Sequence, residues 1–261
     1  MKPIFRAFRT LGSFHPLLLC FVFYHPLASC VADNIPVPST GADGPTASSD
    51  PFAFGISTSS RFQQVYDTSA FSSGIPQGGW ITGLFWAADL VFGRGDWGAT
   101  LPDTEISLSI TARRPDQLSS TFADNLGLST TVVYPRGPLL LDSAGRGSRV
   151  DVIFQTPFFY DPNQGSLLLE IRNYQPTDPL CISIPQCRVG PLDAYDDVGD
   201  SVSRVFTYNV NAATGSADTL GLTTYFVVTP VPEPSTLALL GIALGLCGVT
   251  WTRSKRSRSK H

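Results

Sequence analysis

Between residues 26 and 252 the chain contains neither histidine nor lysine; His15, His25 and His261, and Lys2, Lys255 and Lys260, all stand near the two ends. From everything between, that absence excludes Ser-His and Cys-His nucleophile pairs, Schiff-base lysines, histidine zinc sites and the lysine of a phosphate-binding loop. Glutamate is almost as scarce. Apart from Glu233 near the C-terminus, only Glu105 and Glu170 occur, each alternating with apolar neighbours and so expected to face solvent. The clustered E-x-D-x-x-E strand of sandwich glycanases is missing, which weakens a paired-carboxylate mechanism. Cysteine is also sparse. Cys20, Cys30 and Cys247 fall in terminal apolar stretches, leaving Cys181 and Cys187 in the middle of the chain. No segment of the ectodomain stretch 52–230 sustains a helical repeat, although 116–123 allows one helical turn.

What is present is strand patterning. Thr104-Glu105-Ile106-Ser107-Leu108-Ser109-Ile110-Thr111 puts Ile106, Leu108 and Ile110 on one face and Glu105, Ser107 and Ser109 on the other. Similar runs predict strands near 62–66, 80–87, 130–134, 150–155, 167–173, 202–208 and 222–228, bounded by Gly, Pro, Asn and Asp. Phe158, Phe159 and Tyr160 between Pro157 and Asp161 form an aromatic corner that leads into a turn at 161–165. About eight antiparallel strands over this length imply an all-β ectodomain, a β-sandwich or jelly roll.

The two ends differ from this middle. Residues 1–32 have Lys2, Arg6 and Arg9 before an apolar run and then small residues, the pattern of an export signal peptide. Cleavage after Ala32 fits, and Leu27-Ala28-Ser29-Cys30 also resembles a lipobox that would lipidate Cys30. Residues 33–51, rich in Pro and small polar types, are expected to be a flexible leader before an ectodomain at 52–230. In the last segment, 231–261, Pro232, Glu233 and Pro234 precede eighteen uncharged residues at 235–252. As a helix these would span about 27 Å, enough for one transmembrane pass. Arg253, Lys255, Arg256 and Arg258 follow and would hold the tail at 253–261 in the cytoplasm.

Triplet, spanning segment and basic terminus, in that order, resemble the PEP-CTERM sorting domain of Gram-negative bacteria; an ordinary membrane anchor with a proline-rich stalk is the plainer reading of the same residues. The resemblance covers only 231–261. It implies an exosortase as partner, recognition at Pro232, Glu233 and Pro234, an inner-membrane-anchored precursor, and a mature form at the cell surface or in an extracellular matrix associated with exopolysaccharide. The ectodomain is more loosely similar to sandwich domains found upstream of such tails, through Phe62-Gln63-Gln64-Val65-Tyr66-Asp67, Tyr160-Asp161-Pro162 with Leu167-Leu168-Leu169-Glu170, and Gly221-Leu222-Thr223.

Several constellations are candidates for chemistry. In an oxidising compartment Cys181 and Cys187 are expected to pair, closing a short loop worth about 2–3 kcal/mol. Asp193, Asp196, Asp197 and Asp200 form a candidate calcium site, against which a solvated acidic turn accounts for the same residues. No other cofactor is expected. Trp80 and Trp86 share one face by strict alternation and would form a sugar-stacking pair if that face is exposed; a core role accounts for them equally. With three of its eighteen basic residues in front and five in the tail, the segment 10–252 sets ten arginines against twenty-one acids, a net charge of −11. Such a field disfavours nucleic acid and acidic glycans and leaves neutral exopolysaccharide as the easier partner. These readings favour a non-enzymatic envelope or matrix protein, with a carbohydrate-binding module as the alternative and a glycan-active enzyme third.

Overall fold

Alternating apolar residues bounded by turn formers lay the chain out as strands, and the computed structural model describes residues 33–38, 47–49, 58–90, 95–127, 129–175 and 189–231. Thirteen strands occur among them: β1 (Asp33–Val37), β2 (Ala47–Ser49), β3 (Ser60–Tyr66), β4 (Gly79–Ala87), β5 (Trp97–Thr111), β6 (Thr130–Ser143), β7 (Arg149–Tyr160), β8 (Ser166–Asn173), β9 (Asp193–Asp196), β10 (Val202–Thr207), β11 (Ser216–Asp218), β12 (Leu220–Leu222) and β13 (Thr224–Pro230). They form a four-stranded sheet β1-β13-β4-β7, a six-stranded sheet β11-β10-β3-β8-β5-β6 and a small sheet β12-β9-β2. Every pairing is antiparallel. The helical content described is two short 3-10 turns, at Thr68–Ala70 and Phe122–Asn125.

The two larger sheets share one apolar core. Trp86, Val150, Val152, Phe226 and Val228 from the first meet Phe62, Tyr66, Ile106, Leu108, Leu169 and Ile171 from the second. Tyr66 and Phe226 touch edge to face across the layers at 4.8 Å between ring centres, a favoured aromatic geometry. The same contact region carries a buried polar knot. Thr224 donates its hydroxyl hydrogen to the Leu222 carbonyl (3.0 Å), so it accepts from both Tyr66 Oη (2.9 Å) and Trp86 Nε1 (3.1 Å). Each donor of this knot thereby has a partner, which removes the penalty of burying it.

Several expectations are revised. The segment 33–51 is not wholly a leader: β1 pairs with β13 along its length, Asp33 opposite Val228 and Val37 opposite Thr224, and buries Ile35 and Val37 in the core. Pro36 is compatible with this because β1 is an edge strand, where a missing N–H need not break the sheet. The helical turn expected at 116–123 lies at Phe122–Asn125, and the stretch near 222–228 is two strands separated at Thr223. The aromatic corner is instead the end of β7, with Phe158 and Tyr160 directed inward and Phe159 outward. Among the described residues no helix is long and apolar enough to cross a membrane. The signal at 1–32, the cysteines 181 and 187, the motif 232–234, the span 235–252 and the tail 253–261 lie outside the described residues.

Candidate functional site

The outer face of the four-stranded sheet is lined by aromatic side chains. Across neighbouring strands Phe85 and Tyr225 stack in parallel, 4.5 Å between centres and 7° apart, with the Arg149 guanidinium 3.7 Å above the Phe85 ring. Cross-strand aromatic pairs and a cation over a ring both stabilise a sheet face. Towards the end of the sheet Trp80 is 48% exposed and meets Phe159, 38% exposed, at 5.3 Å in a T-shaped pair.

Trp86 is not part of this surface. It is fully buried and bonded to Thr224, which corrects the expectation that Trp80 and Trp86 share a face. The cause is a bulge in β4: Val228 pairs with Ile81 but Val227 pairs with Gly83, so Thr82 is one extra residue and the parity of every later side chain reverses. Gly83 was the available signal, since glycine inside a strand often marks a bulge or a close backbone approach. A Cβ at that position would stand 2.8 Å from the Val152 carbonyl oxygen.

The acidic stretch is spread over opposite sides of a strand and the loop beyond it. Asp193 and Asp196 occupy positions of opposite parity on β9, with Asp193 buried and Asp196 exposed and accepting from Thr219 Oγ1 at 2.6 Å. Among the described residues no three acidic, histidine or cysteine side chains are arranged to hold a metal ion. Asp116, which the sequence reading did not single out, joins the group from a distant loop. It adopts a left-handed backbone (φ 61°), donates its N–H to Ser203 Oγ and accepts the Gly199 N–H at 2.8 Å. Partial burial pushes the Asp200 carboxyl up to about 6, and the charges of Asp116, Asp197 and Asp196 act in the same direction.

Glu170 is buried as well, contrary to the solvent-facing position expected. Alternation does put it on the outer face of the six-stranded sheet, but the segment around Phe122 and Asn125 covers that face. Its Oε1 accepts from Arg61 Nε (2.9 Å) and Gln63 Nε2 (2.9 Å), while Arg172 Nε lies 3.2 Å from Oε2. The Arg61 guanidinium also sits 4.4 Å from the centre of the Phe122 ring. Gln63 donates to the Phe122 carbonyl and accepts from Asn125, so the carboxylate is tied into a network that fastens the covering loop. The neighbouring open cleft, about 500 Å3, is lined by Ile110, Arg113, Asp124, Leu126 and Gln164 among others and contains neither Glu105 nor Glu170.

At the end of β13 the chain leaves the sheet. Val231 donates its N–H to the Gly78 carbonyl at 3.3 Å, which fixes the exit beside the Phe159 ring that packs over Gly78. Residues 230–254, beginning at the last residue of that strand, match the family model described as the PEP-CTERM protein-sorting motif. The chain carries a PEP-CTERM sorting segment. Such a segment implies an exosortase as processing partner and an exported, membrane-anchored precursor in a Gram-negative cell. No curated protein matches the chain. The PEP-CTERM segment therefore follows the folded strands with no intervening linker, and its triplet begins one residue after Val231.

Proposed function

We propose that the protein is an exported, non-enzymatic component of the cell envelope or extracellular matrix in an exopolysaccharide-associated system. Its β-sandwich ectodomain is held temporarily by one membrane-spanning helix at 235–252 and released or transferred when an exosortase acts at Pro232-Glu233-Pro234. The observation that carries this reading is the PEP-CTERM match placed directly after β13. Proline lacks an N–H and disfavours helix in the residue before it, so the triplet suits an extended substrate for a processing enzyme. The non-enzymatic part rests on chemistry: the ectodomain has no histidine or lysine, and Glu170, one of its two glutamates, is engaged by Arg61 and Gln63.

Replacing all three triplet residues by Ala in the native host should leave the protein at full length in the inner membrane. A mature mass identical to that of the wild type would overturn the assignment. Carbohydrate binding is the second reading, favoured by the exposed Trp80–Phe159 pair; with Trp86 in the core, the stacking platform would be Trp80 and Phe159 rather than two tryptophans.

A further inference from the structure

We propose that the Trp80–Phe159 pair, together with Val231, is a lipid-facing tip that rests in the zwitterionic headgroup layer of the bilayer holding the precursor. The inference rests on the anchored-precursor reading and adds a surface to it.

Trp80 lies opposite Thr229 and Gly79 opposite Pro230, so the aromatic pair stands one or two residues from the point where the chain leaves the sheet. Phe159 lies opposite Trp80 on the other side, and Val231 is itself 38% exposed. From Val231 to Ser235, where the uncharged stretch starts, there are four chain steps, at most about 14 Å when fully extended. A bilayer of about 40–45 Å with a hydrocarbon core of about 30 Å leaves a polar layer of roughly 5–8 Å on each side. A tether this short keeps the exit end of the domain at the membrane surface throughout the lifetime of the precursor. The large hydrophobics exposed at that end are Trp80, Phe159 and Val231, beside the polar Gln77 and Asn34, and tryptophan with polar neighbours is enriched where protein meets the headgroup layer.

The other chain end is compatible with this orientation. Asp33 pairs with Val228, so β1 begins at the same pole as the exit. The carboxylate in the turn that follows β7 bears on the lipid class. Asp161, two residues beyond Phe159, accepts hydrogen bonds from the Asn163 backbone and the Asn163 and Gln164 side chains, which hold its carboxyl below the usual range and keep it ionised. An anionic surface would be repelled there, whereas a zwitterionic one would not.

The test uses the full chain carrying Trp251→Phe, reconstituted into phosphatidylcholine vesicles with or without brominated acyl chains. Of the remaining tryptophans Trp86 and Trp97 are buried, so lipid-dependent quenching reads Trp80. The expected result is co-flotation with the vesicles and a loss of emission on brominated lipid that disappears when Trp80→Phe is added. Co-flotation without that loss overturns the tip and leaves the anchor standing. Failure to co-float overturns the anchor and the tip together. Unquenched emission combined with retention on neutral polysaccharide that Trp80→Ala abolishes would assign the surface to a glycan and overturn the lipid assignment.

Discussion

The bulge in β4 makes a sharp prediction about two tryptophans six residues apart. Trp86→Ala removes a fully buried indole from the core and leaves a cavity beside Val150 and Thr224, which lie opposite it on the neighbouring strands, whereas Thr224 keeps Tyr66 as a donor. Truncating a core aromatic of this kind costs about 3–5 kcal/mol. For a domain of this size each kcal/mol moves the midpoint by roughly 2–4 °C, so Trp86→Ala should lower it by about 6–20 °C. Trp80→Ala forfeits one edge-to-face contact with Phe159 from a half-exposed position, about 0.5–1.5 kcal/mol, and should shift it by no more than roughly 6 °C. Near-UV circular dichroism of the full chain in detergent, followed through a thermal scan, measures both. Equal losses for the two variants, or a larger loss for Trp80→Ala, would mean that Thr82 is not the extra residue and that the outward face of β4 is misassigned.

Three further outcomes are expected. Glu170→Leu should destabilise by about 3–5 kcal/mol in denaturant titration, because it leaves the nearly buried Arg61 guanidinium without its carboxylate; a loss below about 1 kcal/mol would contradict the network. Asp200→Asn should raise the midpoint at pH 7 but not at pH 3.5: with the folded carboxyl raised to about 6, above the unfolded value near 4, its ionisation opposes folding, and that penalty fades as pH falls from about 6 to about 4. A gain of the same size at both pH values would refute it. Thiol labelling of the denatured, unreduced exported protein should find neither Cys181 nor Cys187 free, and labelling of both would exclude the disulfide.

Period-two alternation was enough to locate β3, β4, β5, β8 and β10, because each buries one face against the opposite sheet. It was insufficient where one residue is inserted. Thr82 is unremarkable in sequence, yet it moves Trp86 from the surface to the core. Alternation also assigns a side chain to a face without saying what lies on that face. Glu170 is outward on its sheet and still buried, because a loop more than forty residues earlier in the chain, held by Gln63 and Asn125, folds over it. The strand at Asp33–Val37 was hidden by Pro36, since proline lowers strand propensity but is tolerated at an edge. The sorting segment was legible because its signal is order and spacing along one stretch of chain, independent of tertiary contacts.

The place of β13 in its sheet has a consequence for timing. It lies between β1 and β4, so the first strand of the exported domain has no partner in the four-stranded sheet until the last strand arrives. A chain exported from its N-terminus would have β1 and β4 waiting with open edges, vulnerable to mispairing with other chains, until residues 224–230 cross the membrane. The triplet follows within a few residues. Closure of the sheet and presentation of the sorting signal are thus nearly simultaneous, and a protein shortened before β13 would lose both its address and the strand that completes its fold.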